Sequence, residues 1–315
     1  MRAIIINEFG GRDKLQLADV PLPEIKEDEI LVAVKAAGVN PVDYKAREGY
    51  LRERLPHQFP VILGWDAAGI VERIGTRVTT FKAGDEVYAY CRKPVVQYGA
   101  YAEYIALPAV NVALKPKNMT MEEAATVPLT ALTAYQALFD KVKLQKNEIV
   151  LIHAAAGGVG TFAVQMAKKH GARVLGTASG KNHDYLRAMG VDEPIDYTAG
   201  DFLAAVHKIY QNGVDAVLDS IGGETLSRSA KILKKGGRIV SLLDEAAVKK
   251  LKMQGIKASY LFVSPNAEQL SKIAKMIENG SLRTSIFASF PLAEAARAHE
   301  LMEQGHVVGK IVLKI

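Results

Sequence analysis

The stretch Val150-Leu-Ile-His-Ala-Ala-Ala-Gly-Gly-Val-Gly160 constrains the fold of this chain more than any other. A short apolar strand pattern runs into small residues and then, from Thr161 to Lys169, into an amphipathic helix pattern. Ala155, Gly157 and Gly160 keep the G-x-G-x-x-G spacing, with Ala in the first place. Small side chains let a diphosphate approach the backbone. The N–H groups of the helix start, at Gly158, Val159 and Gly160, then point at the anion with the helix dipole behind them. The spacing gains its meaning from context, strand then turn then helix within a longer βαβ series. Without that context it is a tight turn with no ligand.

The series is present. From about Thr120 the pattern predicts helices at Met121–Ala125 and Thr130–Asp140, broken by Pro128, which lacks an N–H and disfavours helix at Val127. Strands at Ile149–Ala154, Arg173–Thr177, Glu193–Asp196, Val214–Asp219, Arg238–Leu243 and Ala258–Val263 then alternate with helices at Val159–His170, Asn182–Met189, Asp201–Gln211 and Glu224–Leu233. Gly171 and Gly190 stand where left-handed caps are needed. Such alternation predicts a parallel, doubly wound sheet of Rossmann type. Residues 1–122 read differently. Short strands at Arg2–Asn7, Glu29–Ala37, Ala68–Ile74, Glu86–Tyr90 and Tyr101–Leu107, with frequent Gly and Pro, suggest a barrel-like or sandwich β domain. After Pro265, helices at Ala267–Glu278 and Leu292–Gln304 precede a last strand, Lys310–Ile315, expected to pair back with the N-terminal domain. The expected domains are therefore 1–122 with 266–315, and 123–265, in an α/β fold.

Composition narrows the function classes. The 315 residues are 49% hydrophobic and 23% charged, ordinary for a globular protein, and no stretch approaches the roughly 20 apolar residues of a membrane span. Met1–Asn7 reads as a strand rather than a signal peptide, so a cytoplasmic location is expected. Cys91 is the single cysteine, which excludes an intrachain disulfide and any multi-thiolate metal site. The net charge of +6 is carried partly by Lys231, Lys234, Lys235 and Arg238 and by Lys249, Lys250 and Lys252. Without interleaved aromatics these read as solvated faces, and no nucleic-acid partner is expected.

Twenty residues past Gly157 an NAD-type unit places an acidic residue against the ribose. Here the chain reads Thr177-Ala-Ser-Gly-Lys-Asn182, with no acid before Asp184. Ser179 is a donor and Lys181 a cation, the groups a 2′-phosphate needs, and Tyr197 at the end of the next strand has a hydroxyl to add. NADPH is the expected cofactor. Lys181 as a plain surface lysine is the competing reading.

The chain resembles the zinc-free quinone oxidoreductase branch of the medium-chain dehydrogenases/reductases, the group of zeta-crystallin and the plant enone reductases. The matching stretches are Ala36-Ala-Gly-Val-Asn-Pro-Val-Asp-Tyr-Lys45, Gly64-Trp-Asp-Ala-Ala-Gly-Ile-Val-Glu-Arg-Ile-Gly75, Phe81-Lys-Ala-Gly-Asp-Glu-Val87, Gly99-Ala-Tyr-Ala-Glu-Tyr104, Val127-Pro-Leu-Thr-Ala-Leu-Thr-Ala-Tyr135, the small-residue turn, and Gly309-Lys-Ile-Val-Leu313. Each is modest alone; their order along nearly the whole chain is specific. The resemblance implies a GroES-like catalytic domain completed by the C-terminal strand, a Rossmann domain, and a cleft between them for the nicotinamide. It also implies a homodimer or homotetramer, often joined through the last Rossmann strand. It places Thr130 and Thr133 near the nicotinamide, although Thr130 is also read as a cap of its helix. Zinc relatives have Cys and His at the positions of Asn40 and Trp65, and neither residue present here is a zinc ligand, so no metal is expected.

Without a Lewis acid, conjugated acceptors are the tractable substrates, because charge developing on oxygen needs only a hydrogen bond. Asn40, Tyr44 and Lys45 are the candidate donors, expected in one loop, with Asn40 or Lys45 at the acceptor oxygen and Tyr44 or water as proton source. Tyr44 reads equally as a core aromatic. Asp43 is expected to bond its own loop, Trp65 and Tyr101 to wall the cleft or sit in the core, and His153 to be a buried, hydrogen-bonded histidine. The expected activity is NADPH-dependent reduction of quinones or α,β-unsaturated carbonyls. Alternatives are an enoyl-thioester reductase and a non-enzymatic NADPH-binding protein.

Overall fold

A computed structural model describes all 315 residues. They form two compact units, Met1–Leu132 with Ser264–Ile315, and Thr133–Val263. In chain order the first unit begins with β1 (Arg2–Ile6), β2 (Gln16–Asp19), β3 (Glu29–Val39), α1 (Pro41–Arg47), β4 (His57–Ile62), β5 (Asp66–Ile74), β6 (Glu86–Tyr90), β7 (Val96–Tyr98), β8 (Tyr104–Pro108), β9 (Val112–Leu114) and α2 (Met121–Ala125). Helix α3 (Pro128–Tyr135) leads into the second unit, with β10 (Ile149–Ile152), α4 (Gly158–His170), β11 (Arg173–Ala178), α5 (His183–Met189), β12 (Glu193–Asp196), α6 (Phe202–Ile209), β13 (Val214–Asp219), α7 (Gly223–Ser229), β14 (Leu233–Ser241), α8 (Glu245–Met253) and β15 (Lys257–Tyr260). The first unit is completed by α9 (Ala267–Glu278), β16 (Ile286–Pro291), α10 (Ala295–Gln304) and β17 (Lys310–Lys314).

The second unit is a six-stranded sheet of order β12-β11-β10-β13-β14-β15, every pair parallel. Counted within the unit this is 3-2-1-4-5-6, the doubly wound dinucleotide-binding order. β10 lies in the middle, so Val150, Leu151 and Ile152 are wholly buried, as a continuous apolar strand of a parallel sheet must be. Gly171 and Gly190 end α4 and α5 in left-handed conformations, as their positions in the sequence predict.

The first unit holds a four-stranded sheet, β2-β1-β4-β7, and a seven-stranded sheet in which β16-β17-β3-β5-β6-β9 run in order and β8 also pairs with β3. β17 pairs antiparallel with β3, Ile311 opposite Val39 and Leu313 opposite Ala37, so the C-terminus does return to the N-terminal strands. The expected strand at Tyr101–Leu107 begins only at Tyr104. Helices α2 and most of α3 belong with the β unit, which places the division at Leu132/Thr133 rather than at residue 122/123. The reason is packing: Ala124 and Ala125 are wholly buried, with α2 lying against β3 and β5. Gly38 in β3 shows how close this is, since a Cβ there would stand 2.3 Å from the Ala125 carbonyl oxygen.

Thr120 and Glu123 cap α2 reciprocally: Thr120 Oγ1 accepts from Glu123 N at 3.2 Å, and Glu123 Oε2 accepts from Thr120 N at 2.8 Å. Thr120→Ala is expected to lower stability in urea unfolding by about 1 kcal/mol. No shift in the midpoint would show that the cap is idle.

Candidate active site

In the second unit the turn after β10 is built by its neighbours. His153 N donates to Leu218 O at 3.0 Å, Ala154 N to Thr177 Oγ1 at 3.2 Å, and Ala155 N to Thr177 O at 3.0 Å. Thr177, at the end of β11, thus fixes the turn, and Ala154 is held at φ +49°, a region non-glycine residues avoid. Gly157 is the N-cap of α4 and leaves room on its outer side: a Cβ there would meet only the Ala154 oxygen, at 3.3 Å. Gly160 is the opposite case, since its Cβ would lie 2.4 Å from that oxygen and 2.6 Å from Ala155 Cα. Gly176 in β11 is small for the same purpose, because a Cβ would meet that of Ala155 at 2.9 Å. The turn therefore fits a diphosphate. Ala155 and Gly157 form the turn, and Gly158, Val159 and Gly160 begin a 13-residue helix, the strand–turn–helix order that their spacing predicts. His153 is buried and hydrogen-bonded to Thr177 Oγ1 at 3.1 Å and Ser229 Oγ at 2.8 Å, and burial pushes it down to about 4, so it stays neutral.

Ser179 and Lys181 follow β11, and Tyr197 follows β12; Lys181 and Tyr197 are exposed. The linear sequence hides one neighbour. Asp196, whose Cα pairs with that of Ala178, places Oδ2 where a Cβ on Gly180 would come within 2.5 Å. Its Oδ1 accepts from Thr198 N at 2.8 Å and Thr198 Oγ1 at 2.6 Å, and these bonds hold the carboxyl below its usual range. Asp196 thus stands beside Gly180 in the Ser179–Lys181 turn, a carboxylate that no spacing rule revealed.

In the first unit, Asn40, Tyr44 and Lys45 do not share a loop. Asn40 is the N-cap of α1, and the other two lie on that helix, which Pro41 opens from its first position. Asp43 at the third helical position returns a bond, its Oδ2 accepting from Asn40 N at 2.8 Å. The local bond of Asp43 is the one expected, but it caps a helix where a loop was expected.

Asn40 is 1% exposed, and its amide is committed. Nδ2 donates to Asp66 Oδ2 at 2.9 Å, while Oδ1 accepts from Lys310 Nζ at 2.5 Å. Lys310 also donates to Val39 O at 3.0 Å and stands 3.6 Å from Asp66 Oδ2. Asp66 Oδ1 accepts from Leu129 N at 2.7 Å. Burial pushes Asp66 up and Lys310 down, and each draws the other back toward its charged form. In the sequence Lys310 stands out only within the motif Gly309-Lys-Ile-Val-Leu313; a lysine opening an apolar strand that packs across β3 is the available signal.

Lys45 differs. It is half-buried, its ammonium is lowered by burial alone, and no carboxylate pairs with it. Tyr44 is half-buried too, its hydroxyl raised by burial and then by Glu48 and Glu303. Thr130 is inside α3 rather than at its start; its hydroxyl donates to Thr126 O at 2.8 Å, so it is no N-cap. Trp65 and Tyr101 are core residues at 5% and 0% exposure, not walls of a cleft. A groove of about 650 Å³ lined by Phe81, Val110, Leu114 and Lys275 contains none of the candidate residues.

Two family descriptions match the chain: an alcohol dehydrogenase GroES-like domain over residues 26–117, and a zinc-binding dehydrogenase domain over residues 189–313. The chain belongs to the medium-chain dehydrogenase/reductase superfamily, in its quinone oxidoreductase branch. It is 34% identical to the chloroplastic NADPH-dependent alkenal/one oxidoreductase of Arabidopsis thaliana, over 99% of this chain and 79% of that one. It is 32% identical to a chloroplast envelope quinone oxidoreductase homolog of the same plant, over 100% and 98%. The solved quinone oxidoreductase of Coxiella burnetii superposes with a TM-score of 0.91 at 37% identity, covering 100% of this chain and 99% of that one.

The zinc named in one of those descriptions does not suit the residues here. No three His, Cys, Asp or Glu side chains gather as metal ligands. Where zinc relatives have Cys and His, this chain has an amide and an indole, and Asp66, the remaining carboxylate, faces the ammonium of Lys310.

Proposed function

We propose that this protein is an NADPH-dependent reductase of quinones or α,β-unsaturated carbonyls, enones and alkenals, acting without zinc. The observation that carries the reading is the buried lysine. Lys310 lies against Asn40 and Asp66, the polar centre that a zinc enzyme of this family gives to its metal, while Lys45 remains an unpaired cation on α1. A site with ammonium donors and no Lewis acid suits acceptors whose charge spreads onto oxygen by conjugation. The names of the relatives support the substrate class and the cofactor.

When bound, NADPH supplies the hydride. Ala155 and Gly157 to Gly160 would hold its diphosphate and Ser179, Lys181 and Tyr197 its 2′-phosphate, and the resemblance gives Thr130 to its nicotinamide end. Lys45 stabilises the developing charge on the acceptor oxygen. Asn40, its amide committed to Asp66 and Lys310, holds the start of α1 in place, and Tyr44 or water supplies the proton. β15 ends its sheet with one edge unpaired, which suits assembly as a homodimer or homotetramer, and a cytoplasmic location goes with the reading.

Lys45→Ala breaks no bond seen in the structure, so it isolates the chemistry. It is expected to cut kcat/KM for an enone or a quinone by about 100-fold, the range for removing one such stabilising donor, and to leave NADPH affinity unchanged. Unchanged turnover would discard Lys45 as the donor.

A further inference from the structure

Arg47, at the last position of α1, is fully buried, so every N–H of its guanidinium must find an acceptor. Nε donates to Gly10 O at 3.0 Å, Nη2 to Glu48 Oε1 at 2.5 Å, and Nη1 to Glu303 Oε1 at 2.8 Å. Nη1 also meets His299 Nδ1, on α10, at 3.0 Å. A guanidinium only donates, so Nδ1 is the bare nitrogen and the ring carries its proton on Nε2. Burial, then the charges of Arg47 and Arg12, push His299 down to about 3 and keep it neutral. Its Nε2–H faces Tyr101 Oη at 3.3 Å, and Tyr101 in turn donates to Asp43 Oδ2 at 3.0 Å. Every donor in this row points the same way, from Arg47 through His299 and Tyr101 to Asp43.

The row ends at a sensitive place. Asp43 Oδ2 also accepts from Asn40 N and so sets the first turn of the helix bearing Tyr44 and Lys45. Asp43 Oδ1 is buried with no partner. Facing this carboxyl are Tyr101 from the loop before β8, Asp66 from β5, Lys310 from β17 and, farther off, Tyr90 and Cys91 at the end of β6. Burial raises Asp43 to about 7, with Asp66 adding to the rise and Asn40 N, Lys310 and Tyr101 opposing it.

We infer that Arg47, His299 and Tyr101 are positioning residues: their one-way chain of hydrogen bonds holds the Asp43 carboxylate, and through it Asn40 and the Lys45 face of α1, in working geometry. This rests on the reductase reading. It predicts that activity falls as pH drops through the Asp43 range, because the protonated carboxyl accepts less well from Asn40 N and Tyr101.

The test is Tyr101→Phe, which keeps the ring packed edge-on against His299 and removes a single hydroxyl. A hydrogen bond to a charged group is worth about one pKa unit or slightly more, so the acid limb of kcat/KM should move up by about one unit. At pH 7 kcat should fall several-fold, with NADPH affinity unchanged. A variant that is less stable but has the wild-type pH profile per folded molecule would overturn the inference. Nitrogen-15 NMR of the wild-type histidines gives a second arm independent of turnover. His299 should show a proton on Nε2 alone and no titration down to pH 5; a proton on Nδ1, or titration near 6.5, would overturn it. Failure of the reductase reading looks different, as a wild type inactive on every acceptor.

Discussion

Lys310→Met is expected to destabilise the protein by about 3–5 kcal/mol in chemical unfolding, the range for breaking a buried ion pair from one side. The ammonium is buried, donates to Val39 O and Asn40 Oδ1, and is the cation facing Asp66. Methionine fills the space of the stem but leaves the Asp66 carboxylate without its opposing charge and Asn40 Oδ1 without a donor. The same loss moves Asp43 further from its ionised form, since Lys310 opposes its rise. Adding Asp66→Asn to Lys310→Met should recover a large part of the stability, because the pair is then removed together. A single variant that loses less than about 1 kcal/mol, the level of a surface ion pair, would contradict the assignment of Lys310 as the charge that holds this centre.

Gly160→Val is expected to weaken NADPH binding by about 100-fold, which corresponds to losing one or two hydrogen bonds to a charged phosphate. A Cβ at this position overlaps the Ala154 oxygen and Ala155 Cα, backbone atoms tied by Thr177 to β11. The helix start must therefore move away from the turn, and the N–H groups no longer converge. Stability should fall as well, by about 1–3 kcal/mol, as overpacking does. Gly200→Ala is the control: nothing lies within 4 Å of the added carbon, so neither property should change. Cofactor titration by fluorescence decides the matter, and wild-type affinity in Gly160→Val would remove the turn from the binding site.

The parts of the fold legible in the sequence are those fixed by local rules. Parallel strands buried on both faces read as apolar runs, which is why β13 was found to the residue, and glycine caps marked the ends of α4 and α5. Strands β2, β4, β7, β9 and β16 were not found. The exposed residues of β4, Gln58 to Pro60, and the three-residue length of β7 leave no alternation to detect, and their pairing with distant strands is what makes them strands. Helix α8, with its Lys249, Lys250 and Lys252, was read as a charged surface, although Val248 and Leu251 anchor it. The small-residue turn after β10 was legible because one stretch of chain makes it. The polar centre was not: Asn40, Asp66 and Lys310 come from three separate regions, and only the antiparallel pairing of β17 with β3 brings the lysine to the amide.

Reduction with NADPH is expected to proceed without a metal. The most direct test is oxidation of NADPH and NADH by the purified protein, metal content measured and a chelator present, against 1,4-quinones, enones, alkenals and enoyl thioesters. Turnover of quinones or enones with NADPH, undiminished by the chelator, is the expected result. NADPH binding without turnover of any acceptor, or activity that disappears with the metal, would contradict it.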